Sequence, residues 1–145
     1  MTAERTRIVI DTNILIAALT KPAGASDRIV RAWLDGRIDV VTSEATLREA
    51  EMVIGAGWLE RLSSREAIRD LLDALRERSV QVDAPRIEGL RLKDAGDRRL
   101  VEAAVAGDSR YLVTTDREVL RQRGYGDTEF VTPAELLRAL GPAER

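Results

Sequence analysis

The chain has 145 residues, 44% hydrophobic and 33% charged, a composition typical of a folded globular protein. It contains no cysteine and no histidine, which excludes disulfides, thiol nucleophiles, imidazole metal ligands and histidine-dependent catalytic triads. Its 23 basic and 25 acidic residues nearly cancel, to a net charge of −2, so a strongly basic nucleic-acid-binding surface is not implied. Any catalysis must therefore use carboxylates, arginines, hydroxyls or a metal ion held by oxygen ligands.

The first half of the sequence alternates short apolar runs with helical patterns. A run bounded by polar residues predicts a buried strand, whereas a serine before an apolar repeat of 3.6 residues predicts a capped helix. The elements expected here are a strand at 7–10, a helix at 14–19, a helix capped by Ser26 and ended by Gly36, a strand at 38–41, a helix from Ser43 to Ile54 and a helix from Ser64 to Arg78.

The second half continues the same alternation. The elements expected here are a strand at 80–82, a helix at 94–106, a strand at 111–114, a short helix at 117–123, a strand at 129–131 and a helix from Pro133 to Leu140. Strands that alternate with helices predict an α/β fold, in which a parallel sheet carries helices on both faces. No internal repeat or linker interrupts residues 1–145, so one domain is expected.

The sequence also predicts where in the cell the protein works. No apolar run approaches the ~20 residues of a membrane span. The amino terminus lacks the apolar region of a signal peptide. We therefore expect a soluble cytoplasmic protein that does not associate with membranes.

Four acidic residues are placed where chemistry is expected. Ligands of open parallel sheets lie beyond the carboxyl ends of the strands, where the strand order reverses. Asp11 follows the first strand and Asp116 the fourth; in the order 3-2-1-4-5 these strands are neighbours, so the two carboxylates would meet. Glu49 and Asp97 lie on apolar helix faces. An acid in that setting costs free energy unless a partner such as a bound cation compensates it.

Each of these acids also has a structural interpretation. Asp11 and Asp116 can cap the helices that follow them, and Asp94 and Asp97 have capping-box spacing. Glu49 can extend from the edge of its apolar face into solvent. Taken singly, each acid favours the structural interpretation, whereas the four together are harder to explain as structural residues alone.

Several other residues receive a prediction. Asn13, the only asparagine in the chain, is placed to orient a carboxylate or a water. Glu102, close to Arg99 on one helix, is predicted to form an ordinary exposed ion pair. Trp33 and Trp58 belong either to the core or to a dimer interface. The chain has no GxxxxGK[ST] motif, so hydrolysis of nucleotides by a P-loop is not expected.

Four segments of the chain resemble the PIN domain family. They are RIVIDTNILIAAL at 7–19, SEATLREAEMV at 43–53, KDAGDRRLVEAAVAGDSRYLVTTD at 93–116 and VTPAELL at 131–137. The last is similar to the tail of a bacterial branch that contains toxins of toxin–antitoxin systems. The resemblance extends from about Arg7 to Leu140 and implies a PIN-like three-layer α/β/α sandwich. Its parallel sheet would have five strands, in the order 3-2-1-4-5.

The resemblance also implies a function and a site. It implies a Mg²⁺- or Mn²⁺-dependent endoribonuclease, with RNA as substrate, a cognate antitoxin as protein partner and a homodimeric state. Carried over residue by residue, it implies that the catalytic and metal-binding acids are Asp11, Glu49, Asp97 and Asp116, with Asn13, Asp94 and Thr115 in supporting positions. The segment DAGDRRL is less acidic than the DPDDDKF-like run of this branch, which leaves Asp94 as the alternative third acid. Asp97 is preferred because it heads the apolar face.

Two other functions stay open. One is a catalytically inactive PIN-like module that binds RNA or protein, and the presence of all four matched acids argues against it. The other is a metal-dependent phosphatase built on a similar sheet. A metal-dependent assay that compares single-stranded RNA with a generic phosphate ester distinguishes the three functions.

Overall fold

A computed structural model describes residues 5–142, so both ends of the predicted 1–145 domain lie outside the described residues. The strands are β1 (Thr6–Ile10), β2 (Ile38–Ser43), β3 (Val80–Val82), β4 (Tyr111–Val113), β5 (Gly124–Tyr125) and β6 (Thr128–Val131). The helices are α1 (Thr12–Thr20), α2 (Ala25–Leu34), α3 (Glu44–Ile54), α4 (Arg65–Arg78), α5 (Ala95–Ala106), α6 (Arg117–Arg121) and α7 (Pro133–Leu140). A 3₁₀ turn at Trp58–Arg61 was not predicted.

The strands form one sheet in the order β3-β2-β1-β4-β6-β5. All neighbouring pairs are parallel except β5 and β6, so the predicted order 3-2-1-4-5 is confirmed for the parallel strands. The predicted count of five was wrong, because β5 adds a short antiparallel strand at the edge. The pairing of Tyr125 with Thr128 leaves a two-residue hairpin loop that starts at Gly126, whose φ is +57°. A strand of two residues has no periodicity to reveal it.

The central strand β1 separates two layers of helices. Ile8 and Ile10 face one side of the sheet and Val9 the other, and all three side chains are buried. The first side packs against α1, α2, α3, α4 and α7, and the second against α5 and α6. The predicted three-layer α/β/α architecture is therefore confirmed.

The helix caps agree with the sequence in most places. The hydroxyls of Ser43 and Ser64 accept backbone N–H groups of the first turns of α3 and α4, as predicted. The prediction for Ser26 was wrong: Gly24 is the N-cap of α2, and Ser26 is buried inside the helix. The helix begins earlier because Asp27 accepts the N–H of Ala23 at 2.8 Å and so bends the chain back.

Two further side chains lie where the sequence did not place them. Trp33 is 3% exposed and belongs to the core, so it is not available for a dimer interface. Glu102 is 2% exposed rather than on the surface, and its carboxylate accepts a hydrogen bond from Arg99 at 2.6 Å and one from the N–H of Ile87 at 2.8 Å. Within residues 5–142, no helix is long and apolar enough to cross a membrane.

Candidate functional site

Two of the predicted acids meet at the carboxyl edge of the sheet. The N–H of Asp11 donates to the carbonyl of Val113 at 3.0 Å, which extends the contact between β1 and β4. The hydroxyl of Thr114 donates to Asp11 Oδ2 at 2.8 Å and accepts the N–H of Asp116 at 3.0 Å. Thr114 is fully buried. Its hydroxyl therefore connects the two acids that follow neighbouring strands.

The capping interpretation of three acids is also correct. Asp11 accepts the N–H of Asn13 at 3.3 Å. Asp94 accepts the N–H of Asp97 at 2.9 Å, and Asp116 accepts the N–H of Glu118 at 2.8 Å. The caps use a single oxygen of Asp94 and of Asp116, so these carboxyl groups keep capacity to accept other partners. Capping and a functional role are therefore compatible here.

Asp97 has the most perturbed environment of the acids. It lies in the first turn of α5 and is 7% exposed. Burial raises the pKa of its carboxyl group to about 7, with further contributions from the negative charges of Asp116, Asp94 and Asp11 and from a hydrogen bond with Asp116. Such a hydrogen bond needs a proton on one of the two carboxyl groups. At neutral pH the Asp97 carboxyl group is therefore partly protonated.

Asp11 and Glu49 also have pKa values above their ordinary range. For Asp11 the main cause is burial, and the negative charges of Asp116 and Asp94 add to it against the hydrogen bonds from Thr114 and Asn13. For Glu49 the causes are burial and the charges of Asp94 and Asp11. These charges act on one another across α3, α5 and the ends of β1 and β4. We call Asp11, Glu49, Asp94, Asp97 and Asp116 the acidic cluster.

Glu49 reaches the cluster from the exposed face of α3. A Cβ built on Gly96 would come within 3.2 Å of both Glu49 carboxylate oxygens. The absence of a side chain at Gly96 therefore leaves room for Glu49 against the first turn of α5. The apolar face predicted around Glu49 is not packed, since Met52 is 73% exposed.

The acidic cluster has no positively charged partner within residues 5–142. The ion pairs found there all involve other acids. Carboxylate oxygens are the ligands that Mg²⁺ and Mn²⁺ prefer, so the donor chemistry fits a hard divalent cation. In the side-chain conformations of the described residues, no three acids already have an arrangement that holds an ion.

The supporting residues differ in detail from the prediction. Asn13 is exposed, and it contacts Asp11 through its backbone N–H rather than through its side-chain amide. Thr115 is exposed, and the hydroxyl that contacts Asp11 is that of Thr114. Sequence reasoning missed Thr114, although a hydroxyl directly after a buried strand and two residues before a capping aspartate is a usable signal.

Glu118 is a second residue that the sequence did not reveal. Its N–H donates to Asp116, and its own Oε1 accepts the N–H of Lys93 at 2.9 Å. Lys93 directly precedes Asp94. Glu118 therefore ties the α6 side of the cluster to the start of α5. No local pattern indicates this contact, because its partners are 25 residues apart in the sequence.

Replacing Glu118 with Ala is expected to release the Lys93 amide without removing any acid of the cluster. The loss of one hydrogen bond should lower the free energy of unfolding by about 1 kcal/mol and speed hydrogen exchange at Lys93. Glu118→Gln keeps an acceptor and should keep most of the protection, and Glu77→Ala, at an exposed position, is the control. Equal protection of the Lys93 amide in wild type and Glu118→Ala would show that the contact is not made.

The fold is similar to that of several solved protein structures. A crystal structure of VapBC2 from Rickettsia felis bound to a DNA fragment from their promoter matches with a TM-score of 0.60 and 15% identity, covering 88% of this chain and 98% of that chain. FitAcB from Neisseria gonorrhoeae matches with a TM-score of 0.50 and 21% identity, over 88% and 98% of the two chains. A structure of FitAB bound to an IR36 DNA fragment matches with a TM-score of 0.51 and 18% identity, over 87% and 94%.

Identities this low show a common fold and nothing more specific. A search of curated protein sequences finds no match to this chain. The family model described as PIN domain matches residues 7–118, which include every acid of the cluster and most of the chain. The order of the strands agrees with that match, and the chain belongs to the PIN domain family.

Proposed function

We propose that this protein is a metal-dependent endoribonuclease that hydrolyses phosphodiester bonds of RNA and acts as the toxin of a toxin–antitoxin pair. The observation that carries the proposal is the acidic cluster, in which burial and neighbouring negative charges raise the pKa of Asp11, Glu49 and Asp97, and no ion pair within residues 5–142 involves these acids. Such a site favours a bound cation over free carboxylates. Membership of the PIN domain family supports nuclease chemistry in general.

The residues that would hold Mg²⁺ or Mn²⁺ are Asp11, Glu49, Asp97 and Asp116, with Asp94 beside them. When bound, the ion supplies a water of lowered pKa and positive charge at the leaving oxygen. The protein's own part is to hold the acceptors in place. Thr114 orients Asp11, and backbone N–H groups of α6 orient Asp116.

The proton that Asp97 holds near neutral pH sets a condition on the reaction. Asp97 becomes a full acceptor only after that proton leaves, because a protonated carboxyl group is a poor cation ligand. The pKa of about 7 for Asp97 places this loss near neutral pH. Activity should therefore rise with pH through the neutral range.

We also infer two protein contacts and a location. A cognate antitoxin and a second copy of this chain are proposed as partners in the cytoplasm, supported by the VTPAELL segment and by the fold shared with VapBC2. Sedimentation of the isolated chain, which gives its mass in solution, tests the homodimer.

Cleavage of single-stranded RNA tests the enzymatic function. We expect cleavage with Mg²⁺ or Mn²⁺, no cleavage with excess EDTA, and a loss of roughly two to three orders of magnitude in Asp11→Asn. Asparagine keeps an acceptor for the cap of α1, so the fold should be retained. A chain that hydrolyses p-nitrophenyl phosphate but leaves RNA intact is a phosphatase, and one that binds RNA or protein without cleavage is a binding module.

A further inference from the structure

Helix α6 directs its side chains to three different places. Val119 is buried in the core. Glu118 contacts the N–H of Lys93, and the Gln122 amide, one residue past the helix, donates to the carbonyl of Arg91 at 2.8 Å. The remaining side chains of the helix face an open depression of about 630 Å³, whose lining residues are Arg117, Leu120, Arg121 and Arg123.

The depression carries positive charge only. Arg117, Arg121 and Arg123 are exposed, and none of them forms an ion pair with another described residue. Arg117 and Arg121 are four residues apart on one helix, where like charges repel each other. Glu118, the acid of this helix, has its carboxylate on the N–H of Lys93 instead. We call these three arginines the α6 arginine surface.

Arg123 occupies a backbone conformation that favours glycine. Its φ is +64°, in the left-handed region that a side chain disfavours. The conformation is held from both sides, because the N–H of Arg123 donates to Leu120 and its carbonyl accepts the N–H of Phe130 at 2.8 Å. The Arg123 side chain forms no hydrogen bond with residues 5–142. The Arg123 guanidinium is therefore held at a fixed place in the chain and keeps its donors for another partner.

The α6 arginine surface begins at the acidic cluster. Arg117 directly follows Asp116, and at 1.5 Å per residue Arg121 lies about 6 Å further along the helix. The surface therefore starts at the residue that follows an acid of the cluster, and none of its arginines forms an ion pair with that cluster. A polyanion that extends from the cluster along α6 would bring further phosphates to these side chains.

We propose that the α6 arginine surface binds backbone phosphates of single-stranded RNA next to the cleavage position, an inference that rests on the proposed ribonuclease function. Guanidinium groups bind phosphate through paired hydrogen bonds. The lining of the depression offers one apolar side chain, Leu120, which is little for a protein segment that needs an apolar interface core. RNA is therefore the favoured occupant.

Arg123→Gly separates an effect on RNA binding from an effect on stability. It removes one positive charge, and glycine adopts the left-handed backbone conformation at this position without strain. We expect a melting temperature equal to or higher than that of the wild type. The Kd for a fluorescein-labelled single-stranded RNA should rise about fivefold, and KM should rise similarly with kcat unchanged. The slope of log K against log salt should fall by about 0.7, the value for one phosphate contact on a single strand.

Matched variants isolate the cause. Ala23→Gly relieves a similar backbone, at φ +65°, without loss of charge, and Arg37→Ala removes a charge at the opposite edge of the sheet, before β2. Both should bind RNA as the wild type does. Arg123→Asn, which tolerates the left-handed region, should behave like Arg123→Gly. Binding is measured by fluorescence anisotropy in an Asp97→Asn background, so that the RNA stays intact.

Each outcome decides one proposal. The proposal for the α6 arginine surface is overturned if Arg123→Gly binds RNA as tightly as the protein with Arg123 does. It is also overturned if the protein with Arg123 does not bind RNA at all, even if the wild type cleaves RNA. If Arg123→Gly binds RNA more weakly and the wild type does not cleave RNA, the proposed RNA-binding surface is supported and the proposed ribonuclease function is overturned. Competition by poly-glutamate as strong as that by RNA overturns the RNA assignment in favour of an acidic protein segment.

Discussion

Asp97→Asn is expected to lower the rate of RNA cleavage by roughly two to three orders of magnitude. Asp97 is the most buried acid of the cluster, and the negative charges of Asp116, Asp94 and Asp11 act on it. The amide keeps the size and polarity of the side chain but removes the charge that would bind a cation. Cleavage rates at saturating Mg²⁺ or Mn²⁺, with the fold checked by circular dichroism, measure the effect.

Asp94→Asn is the matched control for this choice of the third acid. Asp94 is exposed and its Oδ1 caps α5, a role that asparagine performs as well. We expect a loss of about tenfold, since only one peripheral charge is removed. A larger loss in Asp94→Asn than in Asp97→Asn would assign the third acid to Asp94.

The metal-free protein is expected to become less stable as pH rises from about 4 to about 7. The pKa of Asp97 is raised from 3.8 to about 7, and the pKa values of Asp11 and Glu49 are raised as well. Between the two values the folded state binds more protons than the unfolded state, so the free energy of unfolding falls with pH. Melting temperatures in EDTA across this range measure the slope.

Asp97→Asn should remove much of that slope. In EDTA at pH 7.5 it should stabilise the metal-free protein by about 1 kcal/mol, or ~3 °C, after allowance for solvent screening. Asp70→Asn, on the exposed side of α4, should not. With a dissociation constant of ~1 mM, ~10 mM Mg²⁺ should add roughly 1.4 kcal/mol to the wild type. If Mg²⁺ does not raise the melting temperature of the wild type and Asp97→Asn is less stable than the wild type, these acids serve only as helix caps.

Local patterns predicted most of the elements because the forces behind them are local. Ser43 and Ser64 cap α3 and α4 through hydrogen bonds that span three residues, and β1 is a buried apolar run. The errors have local causes too. Gly24 replaces Ser26 as a cap because Asp27 turns the preceding chain, and β5 is too short to carry a periodic signal.

The acids of the candidate site were found because strand ends and helix faces can be placed from the sequence. Asp11 and Asp116 follow apolar strands that neighbour each other in the sheet. Glu49 was found for a partly incorrect reason, since its face of α3 is exposed rather than packed. Its position near the cluster depends on Gly96, a residue of α5 that leaves space for its carboxylate.

The sequence by itself determined the α/β class, the order of the parallel strands and the acids that gather at one edge of the sheet. These follow from periodicity, from the rules of parallel connections and from the family resemblance. Only the tertiary structure showed that Thr114 joins two acids, that Glu118 ties Asp116 to the start of α5, and that Glu102 is buried. Each depends on atoms brought together from distant parts of the chain, because hydrogen bonds and burial act over a few ångströms in space whatever the separation in sequence.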